Sequence, residues 1–222
     1  MRWVDRAMVR ALVVDTNDGI IATAGIVEGF AGAGATESTI TIAAFSAMVA
    51  GGIALGGAKY AEAATERDAE LALIDEERQQ LARSPDEERA ELAALYELRG
   101  LSPALAREVA AELTAADALA AHVEAEHGLS LRAAGPTPLL VAVTAGLAFA
   151  LGSGVPLVTV LIAPDSWRVA VTFAAVVASL VVTSLVAARA GGTHVVRTLV
   201  RTVVIGTSAM LLTLAAGSLF QR

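Results

Sequence analysis

Three pairs of side chains in one polar stretch have the types and spacing to hold a cation. Glu77 and Gln80 are three residues apart, Glu88 and Glu91 are three apart, and His122 and Glu126 are four apart. Spacings of three and four bring both members of a pair to one side of a helix. If three such sides meet, carboxylates, an amide and an imidazole share one small volume. That ligand set suits hard or borderline divalent ions such as Mn²⁺ and Fe²⁺. Acidic side chains on Ala- and Leu-rich helices are also common as plain solvated surface, so spacing alone leaves that reading open. There is no cysteine, which excludes thiolate metal sites and disulfides.

The stretch that carries these pairs differs from the rest of the chain. Residues 59–132 hold 17 acidic against 8 basic side chains, although the whole chain has only 23 acids and 16 bases. Outside it the sequence is apolar. Hydrophobic residues make up 55% of the 222 positions and mean hydropathy is +0.63, too high for an ordinary soluble domain. Aromatics are only 4%, so the apolar mass is Ala, Val, Leu, Ile and Gly, which permits close helix contact in a bilayer. The pI near 5.0 argues against a nucleic-acid partner.

The order of elements follows from periodicity and punctuation. Residues 1–17, with Arg2, Arg6 and Arg10 among Trp3, Val4, Met8, Val9, Leu12 and Val13, read as a short amphipathic helix at a membrane surface or a basic leader. The start lacks a secretory-signal pattern, because Asp15 and Asp18 interrupt its apolar run. Residues 18–36 form a first span, in which Gly25 and Gly29 make a small-residue packing pair. Asp18 lies at its start and Glu28 lies ten residues deeper. An ionisable group at that depth is costly and points to function. One long helix is predicted over about 40–82, apolar in its first half and polar in its second.

Ser84-Pro85 with Glu87 predicts a capping box opening the next helix, which ends at Gly100. Ser102-Pro103 opens another, closed by Gly128. Gly135–Pro138 is a linker. Three further spans follow at about 139–162, 167–188 and 195–220, the first open to a break at Gly154 and Pro156. The basic N-terminal segment and the Arg189–Arg201 loop share the inner side if the chain crosses five times.

Several local runs resemble the vacuolar iron transporter family, whose bacterial members lie in the plasma membrane. They are Asn17-Asp18-Gly19, Gly32-Ala-Gly-Ala, Arg67-Asp-Ala-Glu70, Glu91-Leu-Ala-Ala-Leu-Tyr, Arg99-Gly-Leu-Ser-Pro-Ala-Leu-Ala-Arg and Asp117-Ala-Leu-Ala-Ala-His122. The resemblance implies a homodimer of five-span subunits that exports Fe²⁺, and often other divalent ions, from the cytosol in exchange for protons. It also implies a cytoplasmic three-helix lobe that gathers metal between carboxylates. Glu77, Glu88, Glu91 and Glu126 fall on the family's lobe carboxylates, Gln80 where another is expected, His122 near a position where some members use Met, and Asp18 on the acid at the pore mouth.

The chain also departs from the family pattern. Leu55 stands where the family's second span has Met, and Lys59 where it has an acid. Glu28 stands where an apolar residue is expected. Glu28 either replaces the lost ligand, hardening the path toward Mn²⁺, or Lys59 pairs with an acid and gates it.

The expected fold is all-α: a five-span transmembrane helical bundle with a cytoplasmic acidic lobe of three helices between spans 2 and 3. The expected domains are 1–59 (surface helix and spans 1–2), 60–134 (metal-binding lobe) and 135–222 (spans 3–5). The expected function is divalent-metal export by proton antiport across the cell membrane. The metal ligands would be Glu77, Gln80, Glu88, Glu91, His122 and Glu126, with Asp18 and Glu28 on the translocation path. The metal is cargo, and no cofactor is implied. Two rivals are a membrane-anchored metal sensor or buffer that does not transport, and a structural lobe that binds no metal. An enzyme is disfavoured. No nucleophile–base pairing or phosphate loop is present, and the three histidines do not form a zinc-protease pattern.

Overall fold

A computed structural model describes residues 6–131 and 135–221. The described residues are helical throughout, with seven α-helices and no strand. They are α1 (Arg6–Gly32), α2 (Glu37–Arg83), α3 (Pro85–Leu98), α4 (Pro103–His127), α5 (Pro138–Ile162), α6 (Arg168–Gly191) and α7 (Val195–Ser218), with a 3₁₀ turn at Asp165–Trp167 before α6. Four stretches are long and apolar enough to cross a membrane: α2, α5, α6 with its preceding turn, and α7. The chain divides into two compact units, one of residues 1–60 with 138–222 and one of residues 61–137.

The first unit is built around its least apolar helix. α1 carries Arg6, Arg10, Asp15, Asp18 and Glu28 and is not one of the four membrane-length apolar helices. It nevertheless packs against α5, α6 and α7. Ile20 and Ala24 of α1 meet Val176 and Leu180 of α6 and Met210 of α7 in one buried cluster. Val27 meets Ile40, Ala44 and Val160 in another. Many other large apolar side chains point outward, as with Ile53 (71% exposed), Leu151 (76%) and Leu212 (71%). Small and polar residues inside with large apolar ones outside is the distribution expected of helices solvated by lipid.

Glycines set the closest approaches. A Cβ at Gly152 would fall 2.0 Å from the Thr16 carbonyl oxygen, and one at Gly217 would fall 1.9 Å from that of Gly29. The backbones of α5 and α7 thus rest directly on α1. Gly25 and Gly29 both face Thr213 of α7, so the predicted packing pair has its neighbour. Polar bonds add specificity: Ser153 Oγ donates to the Gly19 carbonyl (3.2 Å), and Thr183 Oγ1 donates to Asn17 Oδ1 (2.6 Å).

Four expectations need correction. The predicted surface helix over 1–17 and span over 18–36 are one continuous helix in the described residues, because no Pro interrupts it and Gly19 at the junction serves a close approach to the Phe149 backbone of α5 instead of a turn; Arg2, Trp3 and Val4 lie outside the described residues. That helix ends at Gly32 rather than residue 36, and Gly34 turns the chain with a positive φ of 75°. Ser84 supplies its backbone carbonyl to the amides of Glu87 and Glu88 but makes no side-chain cap bond, so the capping box is not formed. The third predicted span is not broken. α5 runs on through Pro156, and Thr159 Oγ1 donates to the Pro156 carbonyl at 2.7 Å.

Candidate metal centre

The second unit holds the polar half of α2 together with α3 and α4. Leu92 and Ala93 of α3 pack on Ala110 and Ala125 of α4, with Leu95, Tyr96, Leu113 and Ala121 around them. Ser102 caps α4 by accepting from the Leu105 amide, and Gly128 closes it in the left-handed conformation (φ 67°). α4 is not one straight helix. Asp117 has extended backbone angles (φ −166°, ψ 91°), and its Oδ1 accepts from the Ala120 amide at 3.0 Å. Asp117 therefore acts as an N-cap inside the element, restarting the helix for the segment that carries His122 and Glu126. Arg99 holds that segment to α3. Its Nη2 donates to the Ala125 carbonyl at 2.6 Å, and its guanidinium lies over the Tyr96 ring.

These elements bring four side chains to one point. Glu77, Glu88, His122 and Glu126 each offer a ligand atom, and all four atoms lie within 4.8 Å of one another. His122 Nδ1 is the hub, at 3.1 Å from Glu77 Oε1, 3.3 Å from Glu126 Oε1 and 3.9 Å from Glu88 Oε2. His122 and Glu77 are fully buried, and Glu88 is nearly so. Glu77 Oε1, Glu88 Oε2 and His122 Nε2 complete no hydrogen bond among the described residues.

Electrostatics makes this an unsatisfied arrangement. Burial pushes the Glu77 carboxyl above the ordinary glutamate value. The charges of Glu126 and Glu88 push it further, while His122 opposes them. Burial also raises Glu88, with Glu91 adding to the shift and His122 opposing it. Three carboxylates around one imidazole cannot all ionise in a buried site unless cations share them. Protons can fill that role, as can one divalent ion taking the carboxylate oxygens and the Nδ1 lone pair.

The other predicted ligands stand apart. Gln80 is exposed on a shallow solvent-facing surface with Asp75, Glu76 and Gln79. Glu91 is exposed and reaches the cluster only through its charge on Glu88. On α1, Glu28 is 1% exposed and neither of its carboxylate oxygens has a hydrogen-bond partner among the described residues. Asp18 is exposed and lies within the electrostatic reach of Lys59. The buried acid at that end of α1 is Asp15, at 5% exposure. The sequence alone presents Asp15 only as an interruption of an apolar run, though an acid in such a run is itself the signal.

Membrane-length helices packed around an acid-bearing helix, with a separate helical unit enclosing a carboxylate–imidazole cluster that could hold a cation, define a helical membrane protein. A profile of the VIT family matches residues 9–218, nearly the whole chain, and the protein belongs to that family. It is similar to the vacuolar iron transporter of Acanthamoeba castellanii, with 37% identity over 54% of this chain and 43% of that protein. Vacuolar iron transporter 1 of Tulipa gesneriana is 27% identical over 91% of this chain and 83% of its own length. Vacuolar iron transporter 1 of Eucalyptus grandis is 28% identical over 79% and 69%. The chain thus spans under half of the amoebal protein and most of the tulip protein.

Proposed function

We propose that this protein is a divalent-metal transporter that moves Fe²⁺ or Mn²⁺ out of the cytosol in exchange for protons. The observation that carries this reading is the buried convergence of Glu77, Glu88 and Glu126 on His122, with oxygens left unsatisfied. The similarity to proteins named as iron transporters supports the cargo class. The cluster gathers the metal, and the translocation path in the apolar unit runs by Asp18 and Glu28. A carboxylate binds either a proton or a share of a divalent ion, so a path lined by carboxylates couples the two flows.

In this reading α1 is the first of five spans. Its 27 residues extend about 40 Å, more than the hydrocarbon thickness of about 30 Å. Asp15 and Glu28 are tolerable in lipid because α5, α6 and α7 sheathe them, while the exposed Asp18 lies within the electrostatic reach of Lys59. Arg10 lies beside the α6–α7 turn with Arg197 and Arg201, so two basic segments share one end of the unit, which supports a cytoplasmic N-terminus. The acidic unit is then cytoplasmic as well, and the membrane is the cell membrane. The working form is a homodimer, whose second copy would cover part of the exposed apolar face of α2 at Ile42, Phe45 and Val49.

The test is metal flux into proteoliposomes under an imposed pH gradient, with wild type, Glu28→Gln and Glu77→Gln compared. The proposal expects flux that follows the proton gradient and falls in both variants. Metal binding without flux, in folded and oriented protein, would replace it with the sensor or buffer reading. Loss in Glu77→Gln alone would remove Glu28 from the path.

A further inference from the structure

A second site lies at the opposite chemical extreme from the acidic cluster. The start of α1 and the turn between α6 and α7 form an open cleft of about 370 Å³ lined by Arg10, Arg197, Arg201, His194 and Thr198, with Val14 at its apolar wall; the three arginines and His194 are exposed. No acid lines it, in a chain whose formal charge is −7. None of the three arginines makes an ion pair among the described residues. Arg10 is held against α6, where a Cβ added to Gly191 would lie 3.2 Å from its Cδ.

The backbone adds to this field. α7 is 24 residues long and begins at Val195, has no acid in its first turn, and its N-cap residue His194 gives no side-chain bond to the free amides. Those amides and the helix dipole favour an anion at the same mouth where Arg197 projects from the first turn and Arg201 from the next. In water exposed arginines such as these are screened, but at a low-dielectric lipid boundary their repulsion grows, and an anion joining them relieves it.

The surroundings indicate where that anion comes from. Val196, Val200 and Val204 recur every four residues on α7 and are 74%, 51% and 54% exposed, and Val14 is 56% exposed. An apolar stripe therefore runs along α7 beside the basic mouth, on a helix long and apolar enough to cross a membrane. A soluble anion has no use for such a stripe, whereas acyl chains do.

We propose that this cleft binds the headgroup phosphate of an anionic phospholipid, held by Arg10, Arg197 and Arg201, with the acyl chains along Val196, Val200 and Val204. Basic pockets between membrane helices on the inner side are suited to such headgroups, and each arginine facing an anionic surface contributes about a fivefold factor in affinity.

The test is native mass spectrometry of the full-length protein in detergent, titrated with phosphatidylglycerol and, separately, phosphatidylcholine. The proposal expects saturable retention of phosphatidylglycerol over phosphatidylcholine. That preference should be lost in Arg197→Gln/Arg201→Gln, largely kept in Arg197→Lys/Arg201→Lys, and unchanged in the control Arg78→Gln/Arg83→Gln, whose residues belong to the second unit and do not line the cleft. Should the double variant fail to fold, Arg10→Gln alone is expected to weaken retention about fivefold. Equal retention of both lipids, or wild-type retention in the Gln variants, would overturn the site. Displacement of the lipid by millimolar inorganic phosphate, with equal protection from heat by phosphate alone, would overturn the lipid assignment in favour of a free-anion site.

Discussion

His122 Nδ1 lies 3.1 Å from Glu77 Oε1, and both side chains are sealed from solvent. One comes from the polar half of α2 and the other from the restarted segment of α4. Neither helix alone would bury a charge there. The contact is tolerable because each group partly offsets the charge problem of the other.

Removing a ligand of this cluster should cost far more than removing the neighbours that share only its spacing. Glu77→Gln and His122→Ala are expected to weaken Mn²⁺ binding by at least about tenfold, since even outer-shell partners of metal sites are worth about 10–100-fold. Gln80→Ala and Glu91→Gln should cost less than either, because neither belongs to the group of four. Calorimetric titration of the detergent-solubilised full chain checks this. Equal losses at Gln80 and Glu77 would contradict the four-ligand cluster.

Metal binding and stability of the metal-free protein should respond to pH in opposite senses. Glu77 and Glu88 have folded-state carboxyls raised by burial, so the folded unit holds more protons than the unfolded chain above the ordinary glutamate value of 4.5. Their contribution to stability is therefore fully present below that value and is lost as pH rises through the raised folded values. Heating scans of metal-free protein should show melting temperature rising as pH is lowered from neutral toward 5. Metal affinity should fall over the same interval, because protons compete for the same oxygens. Glu77→Gln should flatten the first profile and raise the metal-free melting temperature at neutral pH.

The break at Asp117 is expected to be a positioning device. Asp117→Ala removes the bond from the Ala120 amide and should cost about 1 kcal/mol, the usual worth of an N-cap. It should also lower Mn²⁺ affinity, because a straight α4 would re-aim His122 and Glu126. Asp117→Asn, which can still cap, should keep most of both. If Asp117→Ala lowers stability but leaves the binding isotherm unchanged, the break has no role in aiming the ligands.

Packing around α1 should be intolerant of single methyl groups. Gly152→Ala would drive a Cβ to 2.0 Å from the Thr16 carbonyl, and overpacking of this kind costs about 1–3 kcal/mol. Gly57→Ala, with nothing within 4 Å of the added carbon, is the matched control. Thermal unfolding in one detergent should separate the two, and equal melting temperatures would refute the close α1–α5 contact.

Much of this protein is legible in its amino-acid order. The long α2, the Pro-led starts of α3 and α4, the Gly128 stop and the apolar helices α5 to α7 all follow from periodicity, caps and composition, which are local properties. So does the gathering of acids in one stretch. Which acids converge is not local. A spacing of three leaves side chains about 60° apart around a helix, so Glu77 can face inward while Gln80 faces water. The same limit hides the burial of Asp15 beside an exposed Asp18, since only the packing of α5, α6 and α7 decides which side of α1 is covered. The break at Asp117 is equally invisible, because an Asp inside a helical pattern is ordinary until its side chain is seen capping the turn beyond it. Sequence by itself determined the kinds of element and the inventory of charge. Tertiary packing alone decided which charges lost their water, because burial is set by neighbours that lie far apart in the chain and no local pattern encodes it.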